Sequence, residues 1–290
     1  METETKKETA EYKDVESQII DSPEGEFRIP EGADIDVSVS ETTDKKLRIT
    51  ETVTVDEHEY LECEKRWVFL LLMMVGGFFG GFTYSVRGGV FCNAQTANIV
   101  LLGLSLGRGQ FAHAAYYLLP ISAYLLGSFV SEHIALPIKR LRLIRWDTLF
   151  ILIEMLAVIV LALIPETAPY QISQVMINFI CSMQFNTFRQ AQGIPMATTF
   201  CTNHIRQGGI AASKLMRHHG GQAYAAGMFF HLKMLGLFVL GVICAVLLCT
   251  RFAGRAMFFV LLPLAVVLAD LMYADLKVER GKFERKPRGH

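Results

Sequence analysis

The sequence predicts an all-α membrane protein of about six transmembrane helices plus two broken or re-entrant polar segments. Three observations lead there. Of 290 residues, 52% are hydrophobic and the mean hydropathy is positive, a composition foreign to most soluble domains. The balanced formal charge conceals a division: residues 1–65 hold 20 Asp and Glu against 8 Lys and Arg, net −12, and the remainder holds 8 against 20, net +12. Apolar runs also recur at the length, about 20 residues, that crosses roughly 30 Å of hydrocarbon.

Residues 1–65 form an acidic arm. Its first 25 residues are polar and suit disorder. "DIDVSVSE" and "KLRITETVTVDE" alternate at period two, a weak strand signal, so the arm reads as a solvated tail or a small strand-containing module. No apolar core of a secretory signal opens the chain, so the run from Trp67 is expected to serve as an uncleaved anchor.

Candidate spans follow at 67–86, 114–135, 148–165, 171–188, 225–249 and 256–276, within a transmembrane domain of residues 66–276; residues 277–290 form a basic tail. Segments 91–107 and 196–213 are shorter in apolar content and richer in polar groups. The basic clusters decide between spanning and re-entry. Lys139, Arg140, Arg142 and Arg145, then Arg206, Lys214 and Arg217, then the tail from Lys277 to Arg288 share one side only if both polar segments return to the side they entered. That leaves both termini cytoplasmic in a cell membrane, with Arg87, Arg108, Arg251 and Arg255 against the pattern. The two halves then have opposite orientation. An offset of 106 residues aligns Phe79 with Phe185, Thr96 with Thr202 and Gly103 with Gly209, as inverted repeats would.

"FCNAQTANIVLLG" puts Asn93, Gln95, Thr96 and Asn98 at membrane depth, where each amide needs a partner. The matching second-half groups are Gln184, Asn186, Arg189 and, in "TTFCTNHI", Thr198, Thr199 and Thr202. Amides and hydroxyls both donate and accept, which suits neutral or zwitterionic ligands, and the Arg189 fork suits a carboxylate. Gln95, Thr96, Asn98, Gln184, Asn186, Arg189 and Thr202 are therefore the candidate ligand-binding residues. The bland alternatives are interhelical hydrogen bonding for the amides and an interfacial position for Arg189. Glu154, in mid-span, is the candidate coupling group, with a paired or protonated structural carboxyl as its alternative. The glycine pairs from Gly76 to Gly81 suit close helix approach, and Gly88 and Gly89 mark a break. The six cysteines read as buried hydrophobes; neither they nor His218 and His219 suggest a metal site.

"GGFFGGFTYSVRGGVFCNAQTANIVLLG" and "SMQFNTFRQAQGIPMATTFCTNHI" resemble, in that order, the two signatures of the YoaK family, uncharacterised bacterial multi-pass membrane proteins built on domain of unknown function 1275. The resemblance spans roughly residues 67–276. It implies Asp-Ala where this chain has Gly80-Gly81, Thr-Gly-Asn where it has Thr96-Ala97-Asn98, and Asn-Ala where Phe185-Asn186 follows Gln184. The Asp, which would offer a charged coupling site, is thus missing here.

No GxSxG, HExxH, P-loop or dinucleotide fingerprint occurs, so neither enzyme activity nor a cofactor is expected. The expected partners are the lipid bilayer and an unknown small molecule, with no nucleic acid. The leading functional expectation is a small-molecule carrier with a polar site between two broken helices. The alternative is a non-transporting scaffold or sensor whose acidic arm binds a cytoplasmic partner.

Overall fold

The computed structural model describes four short strands between residues 19 and 53, then residues 60–141, 144–217, 222–280 and 287. In the acidic arm, β1 (Ile19–Ser22) pairs with β2 (Gly25–Arg28), and β3 (Ile35–Glu41) with β4 (Leu47–Val53), both antiparallel. The second pair coincides with the period-two stretches. His218, His219 and the tail cations beyond Arg280 lie outside the described residues.

The body is helical: α1 (Arg66–Val86), α2 (Gln95–Gly107), α3 (Phe111–Leu141), α4 (Trp146–Leu163), α5 (Tyr170–Thr187), α6 (Thr202–Arg217), α7 (Gln222–Phe252) and α8 (Leu261–Tyr273). A two-residue hairpin, β5 (Gln190–Ala191) with β6 (Ile194–Pro195), precedes α6. The surface carries the membrane signature. Phe111, Leu125, Leu163, Leu247 and Leu262 are exposed, while Asn98, Glu154, Asn178 and Gln184 are wholly buried. Lipid solvates the former, and only protein can satisfy the latter.

Four stretches are long and apolar enough to cross a bilayer: α1, residues 111–135 of α3, α4, and a continuous 224–278. The last comprises two of the expected spans. It bends at Ala253, which sits at a φ of 48°, and a 3-10 segment (Ala253–Val260) leads into α8. The expected span at 171–188 is helical as α5, but its Gln171, Ser173, Gln174, Asn178, Ser182, Gln184 and Asn186 keep it out of the apolar group. It is shielded instead, with ten of its residues buried.

Contacts along each pair set the helix directions. α1 and α7 run parallel: Arg66 lies over the Phe230 ring, Gly77 abuts Phe238, and Gly81 abuts Val242 and Ala245. α3 and α5 also run parallel, with Tyr116 at Gln174, Gly127 at Phe179 and Ser182, and Ser131 at Thr187. α1 and α5 are antiparallel, because Gln184 donates to Leu72 O at 3.2 Å and Gln174 to Arg87 O at 2.6 Å. α4 follows α1. Its first residue, Trp146, donates to Thr187 at the end of α5, and Ile164 just past its end accepts from Arg87. α8 opposes α1, since Glu279 beyond its end accepts from Glu62 N ahead of α1 at 2.8 Å.

These directions divide the body into α1–α4 and α5–α8, related by an approximate twofold that inverts chain direction. Every main packing obeys it. α1 on α7 corresponds to α5 on α3, α2 on α3 to α6 on α7, and α1 on α8 to α5 on α4; α1–α5 and α4–α8 map onto themselves. The tightest crossings match as well. A Cβ on Gly241 would lie 2.1 Å from Met74 O, and one on Gly127 would lie 2.4 Å from Phe179 O. Phe179 falls 105 positions after Met74, within one of the offset visible in the sequence.

Polar ties close both ends. Arg145 meets Asp275 (3.5 Å) and Glu279 (3.1 Å), and Asp275 also accepts from Arg145 N (2.9 Å) and Thr148 Oγ1 (2.7 Å), joining the start of α4 to the end of α8. At the opposite end Arg87, 1% exposed, donates to Ile164 O at 3.0 Å and Pro165 O at 3.5 Å beside Gly254. One cation that runs against the positive-inside pattern is therefore a buried cap on the C-terminal carbonyls of α4.

Candidate functional site

The polar segments each enter and leave from one end of the bundle, and they meet. After α1 the chain turns through Gly88 (φ 82°) and Gly89 (φ 71°) and descends until Asn93 Nδ2 donates to Gly76 O at 3.0 Å. α2 then runs back to Gly109 and α3. Gly76 is the eleventh of the 21 residues of α1. From the other end, β5 and β6 turn at Gln192 (φ 50°) and Gly193 (φ 79°), the positive-φ pair of a type I′ hairpin, with Gln192 N on Glu64 O at 2.9 Å. The chain then rises until a Cβ on Gly76 would lie 2.5 Å from Thr198 O and 3.2 Å from Thr199 Cα. Glycine is required at this position because two backbone segments approach it closely. α6 leads back out, held by His204, which bonds Ala197 O at 2.8 Å and His231 at 3.1 Å.

Around this meeting point lies Tyr124 of α3, which approaches Thr199, Cys181 and Cys92, and Glu154 of α4 is within electrostatic reach of Cys181. Gln184 is one helical turn beyond Cys181. The anchored amides all use their nitrogens. Gln184 donates to Leu72 O, Gln174 to Arg87 O, and Asn98 to Phe91 O at 2.8 Å. Because each partner is a carbonyl oxygen, the amide orientations are fixed, and the amide oxygens face elsewhere. Among the described residues Gln184 Oε1, Gln174 Oε1, Asn98 Oδ1, the hydroxyls of Ser173, Thr198 and Thr199, and both oxygens of Glu154 are buried without a partner. Ser173 and Gln174 lie toward the Arg87 end; nearer the meeting point, Gln184 Oε1 and both Glu154 oxygens lack donors, and the Thr198 and Thr199 hydroxyls lack partners.

A family model described as a protein of unknown function (DUF1275) matches residues 68–270. The chain belongs to the DUF1275 family. No curated protein and no solved structure matches it. Where the resemblance implies Asp in DUF1275 relatives, this chain's Gly80 would place a Cβ 3.2 Å from Asn93 Nδ2, so that position touches the first re-entrant tip.

The sequence-predicted residues separate into groups. Gln184 lies at the centre. Gln95 donates to Asn178 Oδ1 at 2.6 Å and to Cys92 O at 3.2 Å, and accepts from Asn98 at 3.1 Å, so this pair ties the first re-entrant segment to α5. Thr96 and Thr202 are exposed on the outer faces of α2 and α6. Asn186 and Arg189 sit at the end of α5, where Arg189 pairs with Glu132 at 2.5 Å. Glu154 is wholly buried near the centre. Sequence reasoning left Tyr124, Gln174 and Asn178 out of the site. The polar spacing of Gln174, Asn178 and Cys181 along one α5 face was the available signal for two of them.

Proposed function

We propose that this DUF1275 protein is a small-molecule carrier with its substrate site where the two re-entrant tips converge on Gly76. The observation that carries the reading is this convergence, at the middle of α1, of two polar segments that enter from opposite ends of inverted halves. Carriers built of inverted repeats bind substrate at such broken segments near the bilayer midplane. In this reading six helices span the membrane. The end holding Arg145, Arg189, Lys214 and Lys277 faces the cytoplasm, with both termini. Gln184, Thr198, Thr199 and Tyr124 contact substrate; Gln95 and Asn98 hold the first tip in place.

The test has two parts. In a chain without native cysteines, single cysteines at Gln110 and Met216 are probed on intact cells with an impermeant thiol reagent. Labelling at Gln110 alone is expected, and labelling at Met216 alone or at both positions overturns the topology. Purified protein is then melted against a metabolite panel, and compounds that raise Tm are tested for uptake into proteoliposomes. Thr199→Val is expected to abolish both responses while the chain remains folded. A chain that responds to no compound, or takes up none of those that raise its Tm, is not this carrier.

A further inference from the structure

We infer that Glu154 holds one exchangeable monovalent cation, a proton or an alkali ion, at the centre of the bundle. The inference deepens the carrier reading and rests on it for the ion's role as a coupled species. Glu154 is the ninth of the 18 residues of α4, and its side chain is wholly buried. Both carboxyl oxygens lack a hydrogen-bond partner among the described residues.

Among the described residues the surroundings carry no compensating charge. From α5 the ionisable neighbour is the Cys181 thiol. α3 brings Glu132, which is engaged with Arg189 at the end of that helix. α8 brings Asp270, which faces Glu62 and Lys65 ahead of α1. The 3-10 segment before α8 brings Arg255, which is exposed. Arg87 caps the far end of α4 on carbonyl oxygens. An ionised carboxylate left alone in such a medium costs several kcal/mol or more, so one positive charge must accompany it.

The charge count selects the ion. Glu154 supplies a single negative charge. The other orphaned groups near the meeting point, Gln184 Oε1, Thr198 Oγ1 and Thr199 Oγ1, are neutral oxygens. Divalent ions are held by several carboxylates or retain much of their water. One carboxylate with no second carboxylate shown against it fits a proton or a singly charged alkali ion.

The experiment is infrared difference spectroscopy of the full chain in lipid nanodiscs, exchanged between H2O and D2O. The reporter is the absorption of a protonated carboxyl, assigned to Glu154 by its loss in E154Q and its displacement in E154D; the second variant serves if the first does not fold. In choline chloride the band is expected at neutral pH. For a proton site it disappears reversibly on alkaline titration, in a single one-proton step that sodium and potassium do not move. For an alkali-ion site it disappears at fixed pH on adding sodium or potassium chloride but not choline chloride. A band that neither pH nor either ion moves while the chain stays folded overturns the inference, as does a band that survives in E154Q. Carrier failure is separately visible: a titrating Glu154 in a chain that takes up no compound refutes transport and leaves the ion site standing.

Discussion

Gly241→Ala isolates the contact on which the α1–α7 crossing depends. The new methyl carbon would stand 2.1 Å from Met74 O and 2.9 Å from Phe78 N, where ordinary contact begins at 3.4 Å. The helices must part by more than 1 Å locally, because both obstacles are backbone. Overpacking of this kind costs about 1–3 kcal/mol, and Ala returns about 1 kcal/mol of helix propensity. A net loss of up to about 2 kcal/mol follows. The control is Gly103→Ala in α2, where a Cβ meets nothing within 4 Å. Only the propensity gain applies there, so the control is expected to gain up to about 1 kcal/mol. Gly127→Ala, at the equivalent α3–α5 crossing, should fall on the same side as Gly241→Ala, since its methyl would meet Phe179 O and the Ser182 hydroxyl. Thermal melting by loss of the monodisperse chromatographic peak ranks the three variants. If Gly241→Ala and Gly127→Ala both melt at or above Gly103→Ala, the two crossings are not backbone-to-backbone and the twofold argument fails.

Three further outcomes test the ends of the bundle. Asp275→Ala removes the acceptor of Arg145 N and Thr148 Oγ1 and one of the carboxylates facing buried Arg145, and denaturant titration should show a loss of about 3 kcal/mol. A loss below that of Glu132→Ala would contradict it. Glu132, 62% exposed in its pair with Arg189, should cost under about 1 kcal/mol when truncated. The Cys63 thiol is buried, and burial, reinforced by the Asp147 and Glu64 carboxylates, pushes its pKa well above the ordinary thiol value. Its thiolate is therefore scarce at neutral pH, and maleimide should modify it more slowly than a single cysteine at Gln110, a difference that denaturation removes. Equal rates in the folded chain would place Cys63 at an accessible surface.

The candidate site was half legible. Sequence fixes that amides at membrane depth must have partners, and that narrows the field to the interior. It does not distinguish an amide that ties segments together from one that faces ligand, because both are buried for the same reason. Gln95 illustrates the first case, its nitrogen spent on Asn178 and Cys92 O and its oxygen on Asn98 Nδ2. Gln184 illustrates the second, with its nitrogen on Leu72 O and its oxygen unpartnered. The hydroxyls separate by helical phase. Thr96 and Thr202, aligned by the 106-residue offset, both face outward at the starts of α2 and α6. Thr198 and Thr199 sit in the bend before α6 and are buried. A few residues upstream of the helix start made the difference, and helix boundaries are the least readable feature of a sequence.

The symmetry was more legible in its consequences than in its residues. Few identities survive between the halves because an approximate twofold constrains volume at the crossings and leaves side-chain identity free. Where α7 crosses α1 the chain uses Gly77, Gly81 and Gly241; where α3 crosses α5 it uses Gly127 and Ser182. Both solutions let backbones touch, yet they share only one glycine position. The charges follow a different logic, since inverting a half moves its basic residues to the opposite face unless sequence compensates. Arg87 in the first half has its structural counterpart near Phe188 and Arg189 in the second. The former is buried on the carbonyls at the end of α4, whereas the latter is partly exposed and paired with Glu132. Equivalent positions thus acquire different chemistry at the two ends, one capped and apolar, the other ionic. That asymmetry gives an otherwise symmetric bundle two chemically distinct ends.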